Sequence, residues 1–450
     1  MLTILALIMI VTFIAVLAKK KMSVFTALTL KPLLFGIISI FITRKSFSDI
    51  WGWIQSGLFY SVNPETGKVS MGVISPALII LFAVYYFDIM LNTGLFDPLC
   101  EFFIKKAKGD PLKVTMATVL ATTVVTMNGD TTTTIIICVA AFIQLYKKMN
   151  MKLIYLAIIV VTPIGIFNQL PWGGPTIAAA TALDVPVSQL FASLIPGLLA
   201  AEVYAIFMAY ILGKKERKRL NFNPKATEEL SSHLVESMLN AIRENEPELK
   251  RPKMWWFNLL LTAVIIVMLI MDLAHGAILF MLGTAIALLV NYRSVELCTQ
   301  RIDDLASDAM APALATFAAG VFSGVLSGSG MATALAGSVA SLIPTALGPH
   351  MAPIYGMVAA PFICFLPQDA FYFGIAPVMA EFGITIHQAA VASMIGQSFR
   401  LISPVIPALY MLCEQTDTNF VDFQKKYVKY AWPILFIYVA VYVVTGAIPL

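Results

Sequence analysis

The stretch Met127-Asn128-Gly129-Asp130-Thr131-Thr132-Thr133-Thr134 sits inside an otherwise apolar run, 111–146. A second apolar run, 350–384, is interrupted in the same way by Pro367-Gln368-Asp369. Each arm beside these inserts is near or below the roughly 20 residues that an α-helix needs to cross a bilayer. Two short apolar arms joined at a polar tip read as a re-entrant helical hairpin with its tip near the midplane. Irregular backbone at that depth is tolerated only where protein or a water-filled cavity encloses it. The stretch therefore predicts an all-α polytopic membrane protein with two such hairpins.

Working outward, the apolar runs 2–18, 23–42, 72–95, 151–168, 189–212, 255–272, 274–291, 309–330, 387–402 and 430–448 predict about ten full spans. Of the 450 residues 59% are hydrophobic and 12% are charged, against about 25% charged in soluble domains. This excludes an ordinary soluble enzyme and a disordered chain. The net charge of +4 gives no reason to expect a nucleic-acid partner. The first run ends at Lys19-Lys20-Lys21 and has no basic segment before it, so it reads as a retained helix rather than a signal peptide. The five cysteines, Cys100, Cys138, Cys298, Cys364 and Cys413, have no metal-ligand spacing and read as small buried hydrophobes.

Basic residues orient the chain. With Lys19–Lys21 on the cytoplasmic side, alternating spans place nearly all Lys and Arg inside. Arg44, Lys45 and Lys68 fall outside, and Lys31 and Arg400 fall within spans. The positive-inside rule then predicts a multi-pass protein of the cytoplasmic membrane with both termini outside. The first hairpin opens to the cytoplasm and the second to the exterior. The order of three spans, hairpin and two spans occurs twice, so residues 1–212 and 254–450 read as inverted repeats joined by a basic cytoplasmic linker, 213–253. Within the linker, 227–242 has the spacing of an amphipathic surface helix. Leu91-Asn92-Thr93-Gly94 pairs with Ser327-Gly328-Ser329-Gly330, and Asp130 with Asp369. Inverted repeats are a mark of secondary transporters, with the site at the midplane between them.

Four polar interruptions are candidates for that site: the two hairpin tips, Asn168-Gln169-Leu170-Pro171-Trp172-Gly173-Gly174-Pro175-Thr176, and Gly396-Gln397-Ser398-Phe399-Arg400-Leu401-Ile402-Ser403-Pro404. Pro and Gly break helices and free backbone groups. Freed amides suit anions and freed carbonyls suit cations. Asn128, Thr131, Thr132, Asn168, Gly173, Gly174 and Thr176 are expected to line a small-anion site from one half. Gln368, Gln397, Arg400 and Ser403 are expected to line it from the other. Asp130 and Asp369 are expected to carry a proton or cation, since an ionisable residue at membrane depth is a functional hypothesis by default; the plainer reading makes them helix N-caps. Arg400 reads as a bidentate carboxylate clamp, or as a structural partner of a buried acid or of a helix C-terminal carbonyl. Asp88 stands near the same region. Glu202 and Asp272 read as packed, paired or interfacial, and His350 and His387 as surface residues. Trp172 is expected to wall the site.

No phosphate loop, nucleophile elbow or HExxH helix occurs, so neither an ATP-driven pump nor an enzyme is expected. Transport is then driven by a gradient or is passive. A membrane sensor that merely binds a carboxylate would need an output domain, and the sequence offers none.

The runs Asn128-Gly129-Asp130-Thr131-Thr132-Thr133-Thr134, Leu170-Pro171-Trp172-Gly173-Gly174-Pro175-Thr176 and Asp369-Ala370-Phe371-Tyr372-Phe373-Gly374 resemble the citrate–divalent metal/proton symporter family of the ion transporter superfamily. Gly328-Ser329-Gly330-Met331 and Gly396-Gln397 with Ser403-Pro404 extend the resemblance over roughly 75–410. It implies a homodimer of scaffold and transport domains with elevator movement. It also implies uptake of citrate complexed with Mg²⁺ or Ca²⁺ and driven by protons, and no permanently bound cofactor. Asp130 and Asp369 are then the carboxylates nearest a co-transported metal. The chain departs from the family at Asn128, Thr131 and Thr132 in the first tip, at Asn92, at Ile177 and Ala178 where an Arg is usual nearby, and at Arg400 where His is usual. The last two departures suggest a carboxylate clamp moved from one half to the other. The expected function is citrate–proton symport. A sodium-coupled di- or tricarboxylate carrier and a passive carboxylate uniporter are the alternatives.

Overall fold

A computed structural model describes every residue except 19–20, 63–68, 99–100, 103–109, 130, 223–246, 272, 341–349, 366–370, 373–375, 377–383 and 404–405. The described chain is helical except for one short antiparallel hairpin, β1 (Tyr60–Val62) with β2 (Val69–Met71). In lipid each backbone N–H and C=O must be satisfied internally, and a helix does this within one segment. The first half contains α1 (Leu2–Ala18), α2 (Val24–Thr43), α3 (Phe47–Leu58) and α4 (Ile74–Asn92). It continues with α5 (Pro111–Val125), α6 (Thr131–Lys148), α7 (Leu153–Phe167), α8 (Gly174–Ala182) and α9 (Val187–Arg219). The second half contains α10 (Trp255–Ile270), α11 (Gly276–Asn291), α12 (Val295–Gly328) and α13 (Met331–Ala340). It ends with α14 (Met351–Phe365), α15 (Ile386–Ile395), α16 (Pro407–Gln415) and α17 (Phe420–Val444).

Several expectations need correction. Among the described residues six helices are long and apolar enough to cross a bilayer alone: Phe25–Thr43, Ile74–Asn92, Val187–Arg219, Pro252–Ile270, Val295–Gly328 and Phe420–Val444. The runs 151–168 and 387–402 are not whole spans but the first pieces of broken helices. At 15 residues, α7 is about 22 Å long, short of a hydrocarbon core of about 30 Å. The nine-residue α8 follows after the break 168–173. In the second half α15 runs into a 3₁₀ segment, Gly396–Ile402, and α16 follows. The runs 189–212 and 309–330 and most of 430–448 sit in longer helices, so Arg217, Arg219 and Arg301 are helical beyond the apolar runs. The hydropathy reading overlooked α3, which opens with a capping box between Ser46 and Asp49. The predicted surface helix 227–242 and the tip of the second hairpin lie outside the described residues.

The order of elements recurs. In the first half α1, α2 and α3, and in the second α10 and α11, precede a helix that ends at a left-handed glycine, Gly94 (φ 83°) or Gly330 (φ 81°). A hairpin arm, a broken helix and a long helix follow. Packing regroups the two halves into two bundles. In the first, α12 lies against α2, α3 and α4, α4 lies against α11, and α1 lies against α2 and α13. In the second, α9 lies against α5 and α17, and α7 against both α5 and α6. There too α14 packs on α15 and the 3₁₀ segment, and α16 on α6. The bundles meet where α4 contacts α8 and the segment Thr126–Asn128.

Polar contacts tie the open end of the first hairpin to the end of α9. Asp110, the N-cap of α5, pairs with Arg217. Glu216 accepts the Lys152 amide at 3.0 Å and pairs with Arg219 at 2.6 Å. Both hairpin arms therefore start and finish beside the segment that leads into the basic linker.

In the first bundle Gly320, Gly324 and Gly328 form a stripe on α12 against α3. A Cβ on Gly324 would stand 3.1 Å from the Gly57 amide and closer still to the Trp53 carbonyl. Small residues at such spacing let helix backbones approach in membranes. Gly52, by contrast, faces open space. Overpacking typically costs about 1–3 kcal/mol. Gly324→Leu is therefore expected to lower the unfolding temperature of the detergent-solubilised protein clearly below that of Gly52→Leu, measured by loss of the monodisperse peak on heating.

Candidate substrate and ion site

The first hairpin turns through a 3₁₀ step, Thr126–Asn128, and then Gly129 at φ 83°. Only glycine enters this left-handed region at no steric cost. Asn128 is buried, and its Oδ1 accepts the Thr134 hydroxyl at 3.2 Å. Thr131 is half-buried and Thr132 exposed at the start of α6. Asp130 lies outside the described residues. The break between α7 and α8 covers this turn: Trp172 Nε1 donates to the Met127 carbonyl at 3.0 Å. A Cβ on Gly129 would come 3.1 Å from the Trp172 ring.

Within the break the chain curls back on itself. Asn168 caps α7, the Gly173 amide donates to the Leu170 carbonyl at 2.7 Å, and Thr176 Oγ donates to the Gln169 carbonyl at 2.8 Å. A Cβ on Gly173 would collide with the Asn168 carbonyl. Gly174 opens α8 with Pro175 in its first turn, where a missing N–H costs no helix bond. Five of the six residues 168–173, all except Asn168, are buried, as irregular backbone at membrane depth requires.

The second half repeats this chemistry with different backbone. Gly396–Ile402 is 3₁₀-helical with a kink at Leu401 (φ −86°, ψ 18°), and a 3₁₀ stretch between α-helical pieces often marks a functional hinge. Gln397 is fully buried and donates through Nε2 to the Tyr372 hydroxyl at 2.7 Å. Gln169, also fully buried, donates through Nε2 to the Tyr438 hydroxyl at 3.0 Å. Among the described residues neither amide's Oε1 has a hydrogen-bond partner. Each break thus presents the buried Oε1 of a glutamine whose Nε2 is held by a tyrosine hydroxyl. Arg400 donates from Nη1 to the Ile363 carbonyl at 3.1 Å, near the end of α14. The structure therefore gives Arg400 a helix-end contact, and its guanidinium has further donors of fixed geometry. Ser403 is buried, with its amide on the Arg400 carbonyl at 3.1 Å. Gln368 and Asp369 lie outside the described residues.

Asn128 and Gly129 are thus brought to Trp172 and Gly173, and α7 lies against the Gly396–Ile402 segment. Trp172, expected to wall the site, lies at a joint between elements. It stacks on Phe87 of α4 (5.3 Å, 28°) and meets Phe280 of α11 edge-on (6.3 Å), so it forms the seam between the bundles. Asp88, next to Phe87, is buried. His387 is not simply a surface residue, because its Nε2 lies 2.9 Å from Ser193 Oγ. Sequence reasoning left Gln169 off the site, although it follows the end of α7 as Gln397 follows that of α15. It also missed Tyr438, whose bond spans 269 residues. Among the described residues no three His, Cys, Asp or Glu side chains cluster as metal ligands do.

The citrate transporter family model matches residues 1–396. A citrate transporter of Bacillus subtilis (strain 168) is 37% identical over 438 residues, covering 96% of each chain. A Mg(2+)/citrate complex secondary transporter of the same organism is 35% identical over 458 residues, covering 100% of this chain and 99% of that one. Among solved structures, the Neisseria gonorrhoeae MtrF efflux pump aligns over 91% of this chain and 94% of its own, with a TM-score of 0.54 and 12% identity. The Alcanivorax borkumensis YdaH transporter aligns over 92% and 98%, with a TM-score of 0.50 and 12% identity. At that identity the likeness concerns the fold.

A side chain on Gly129 would have to hold a left-handed conformation, at about 1–2 kcal/mol, and displace Trp172. Gly129→Ala is expected to raise the KM for transport about tenfold, the equivalent of roughly 1.4 kcal/mol, with gel filtration unchanged. An unchanged KM would show that the turn does not shape the site.

Proposed function

We propose that this chain, which belongs to the citrate transporter family, is a secondary symporter that imports citrate, free or as a divalent-metal complex, with protons. The near full-length similarity to a citrate transporter and to a Mg(2+)/citrate complex transporter supports the cargo. The observation that carries the site is the pair of broken helices, each with a buried glutamine oxygen. Such oxygens suit hard cations such as Mg²⁺, Ca²⁺ or Na⁺. The backbone amides at the starts of α6 and α8 suit carboxylates.

In this reading Asn128, Thr131, Thr132, Asn168, Gly173, Gly174 and Thr176 line the site from the first half. Gln368, Gln397, Arg400 and Ser403 line it from the second. Asp130 and Asp369 contact the metal of the complex. The recurrence of elements, with Gly94 and Gly330 at matching ends, supports inverted repeats over 1–212 and 254–450. The division into two bundles supports a scaffold formed by α1–α4 and α10–α13, against which the other bundle slides across the Trp172 seam. Both breaks belong to the sliding bundle, so cargo held between them travels with it. The family resemblance favours a homodimer in the cytoplasmic membrane, and the placement of basic residues favours both termini outside. The glutamine oxygens also favour sodium coupling as a second reading.

Labelled citrate uptake into proteoliposomes separates these readings. Accumulation under an imposed pH gradient, enhanced by Mg²⁺ or Ca²⁺, is expected. Accumulation driven only by a Na⁺ gradient would replace the proton, and downhill flux alone would mean a uniporter. Arg400→Ala is expected to abolish uptake with the fold intact, and Arg400→Lys not to restore it, because a lysine lacks the bidentate fork. Full uptake by Arg400→Ala would remove the clamp.

A further inference from the structure

Glu202 lies on α9 with 8% of its surface exposed, inside the bundle that carries both breaks. Its Oε1 is 2.6 Å from Thr123 Oγ on α5, and its Oε2 is buried with no partner among the described residues. Thr123 Oγ also lies 2.9 Å from the Val119 carbonyl. A threonine hydroxyl has a single hydrogen, and a carbonyl can only accept. Both contacts are satisfied together only when the hydrogen of Thr123 goes to Val119 and the carboxyl of Glu202 supplies its own. An ionised Glu202 would pull the threonine hydrogen away from Val119. The Thr123 hydroxyl is thus placed to adjust to a proton arriving or leaving.

Among the described residues no cation pairs with Glu202. From the elements packed against α9, α5 presents Thr123, with Lys113 at its far end, and α17 presents Tyr438, with Tyr442 stacked on it at 5.7 Å, Tyr430 and Tyr427 about two and three turns back, and Asp422, Lys425, Lys426 and Lys429 towards the start of that helix. From α7 comes Tyr155, which feels Glu216 at the other end of α9, and from α15 His387, bonded to Ser193. Neither α8 nor α10 carries a titratable side chain. On α9 itself Tyr204 is nearest in sequence, and the basic residues begin at Lys214. An unpaired buried charge is costly, so such a group neutralises. Tyr438 lies within electrostatic reach of Glu202, and its hydroxyl accepts the Gln169 amide at 3.0 Å. One phenol therefore touches the break between α7 and α8 and senses the charge on Glu202 through space.

We propose that Glu202 binds the transported proton, and that Tyr438 and Gln169 tie its charge to the geometry of residues 168–173. The proposal rests on the proton-coupled reading above and moves the proton away from the hairpin-tip carboxylates. Only an O–H bond forms and breaks: water on one side supplies the proton to the carboxylate, and water on the other side receives it.

The test is Glu202→Gln, which mimics the neutral form, in proteoliposomes. Citrate–citrate exchange is expected to persist and to lose its pH dependence. Accumulation is expected to lose the roughly tenfold concentrating power that one coupled proton draws from a gradient of about one pH unit. Wild-type accumulation and pH profile in this variant would overturn the proposal, as would loss of exchange in a folded, monodisperse variant. If Glu202→Gln does not fold, Glu202→Asp keeps a titratable group: a displaced pH profile of exchange supports the proposal, and a superposable one overturns it. Absence of proton-driven uptake by the wild type would instead sink the symport reading itself.

Discussion

The structure depends on one constraint: backbone polar groups in a bilayer must find partners within the protein. A continuous helix meets it segment by segment. A broken helix cannot, and the described residues contain two. The buried curl of residues 168–173 and the 3₁₀ run Gly396–Ile402 are held inside a bundle rather than against lipid. Enclosure explains why α7 lies on the second break, why α16 lies on α6, and why both halves contribute to one bundle. It also explains the glycines at these places. Gly173 sits over the Asn168 carbonyl, and Gly396 sits 2.8 Å, measured from a Cβ position, from the Ala360 amide. The breaks are wanted for their free polar groups, and burial is the condition for keeping them.

Runs of about 20 apolar residues are legible because the bilayer reads them in the same way, so α1, α2, α4, α10 and α11 fall close to their expected limits. Hydropathy is blind to a helix that continues into water. That is why α9, α12 and α17 run past their apolar cores through Lys214–Arg219, Arg301–Asp304 and Lys425–Lys429, where pairs such as Glu216–Arg219 stabilise the extra turns. At 12 residues with only two of them buried, α3 has too little apolar face to be read that way. The polar interruptions were visible as strings. The partition into bundles was not, because it pairs elements from opposite ends of the chain.

The same limit applies to the site. Motif strings pointed to Asn128, Gly173, Thr176 and Gln397, which the structure finds buried at the breaks. They said nothing of Tyr438 or Thr123, which matter only through contacts with distant segments. Glu202 reads from sequence as one more acid in an apolar run. Its single satisfied oxygen is a fact of three-dimensional packing.

The Trp172 seam has a mechanical consequence. Phe87, Phe280 and the face of Trp172 meet ring against ring, while the indole N–H is engaged on its own side with Met127. Aromatic faces attract through dispersion and quadrupole terms that vary gently with offset. A joint of this kind has grip but few teeth. Displacing one of these rings over another breaks no directional bond between them, so the resistance of this joint is smooth rather than stepped. Friction of that sort would leave the resting positions of the bundle to be chosen elsewhere, by what the breaks hold and by the charge they carry.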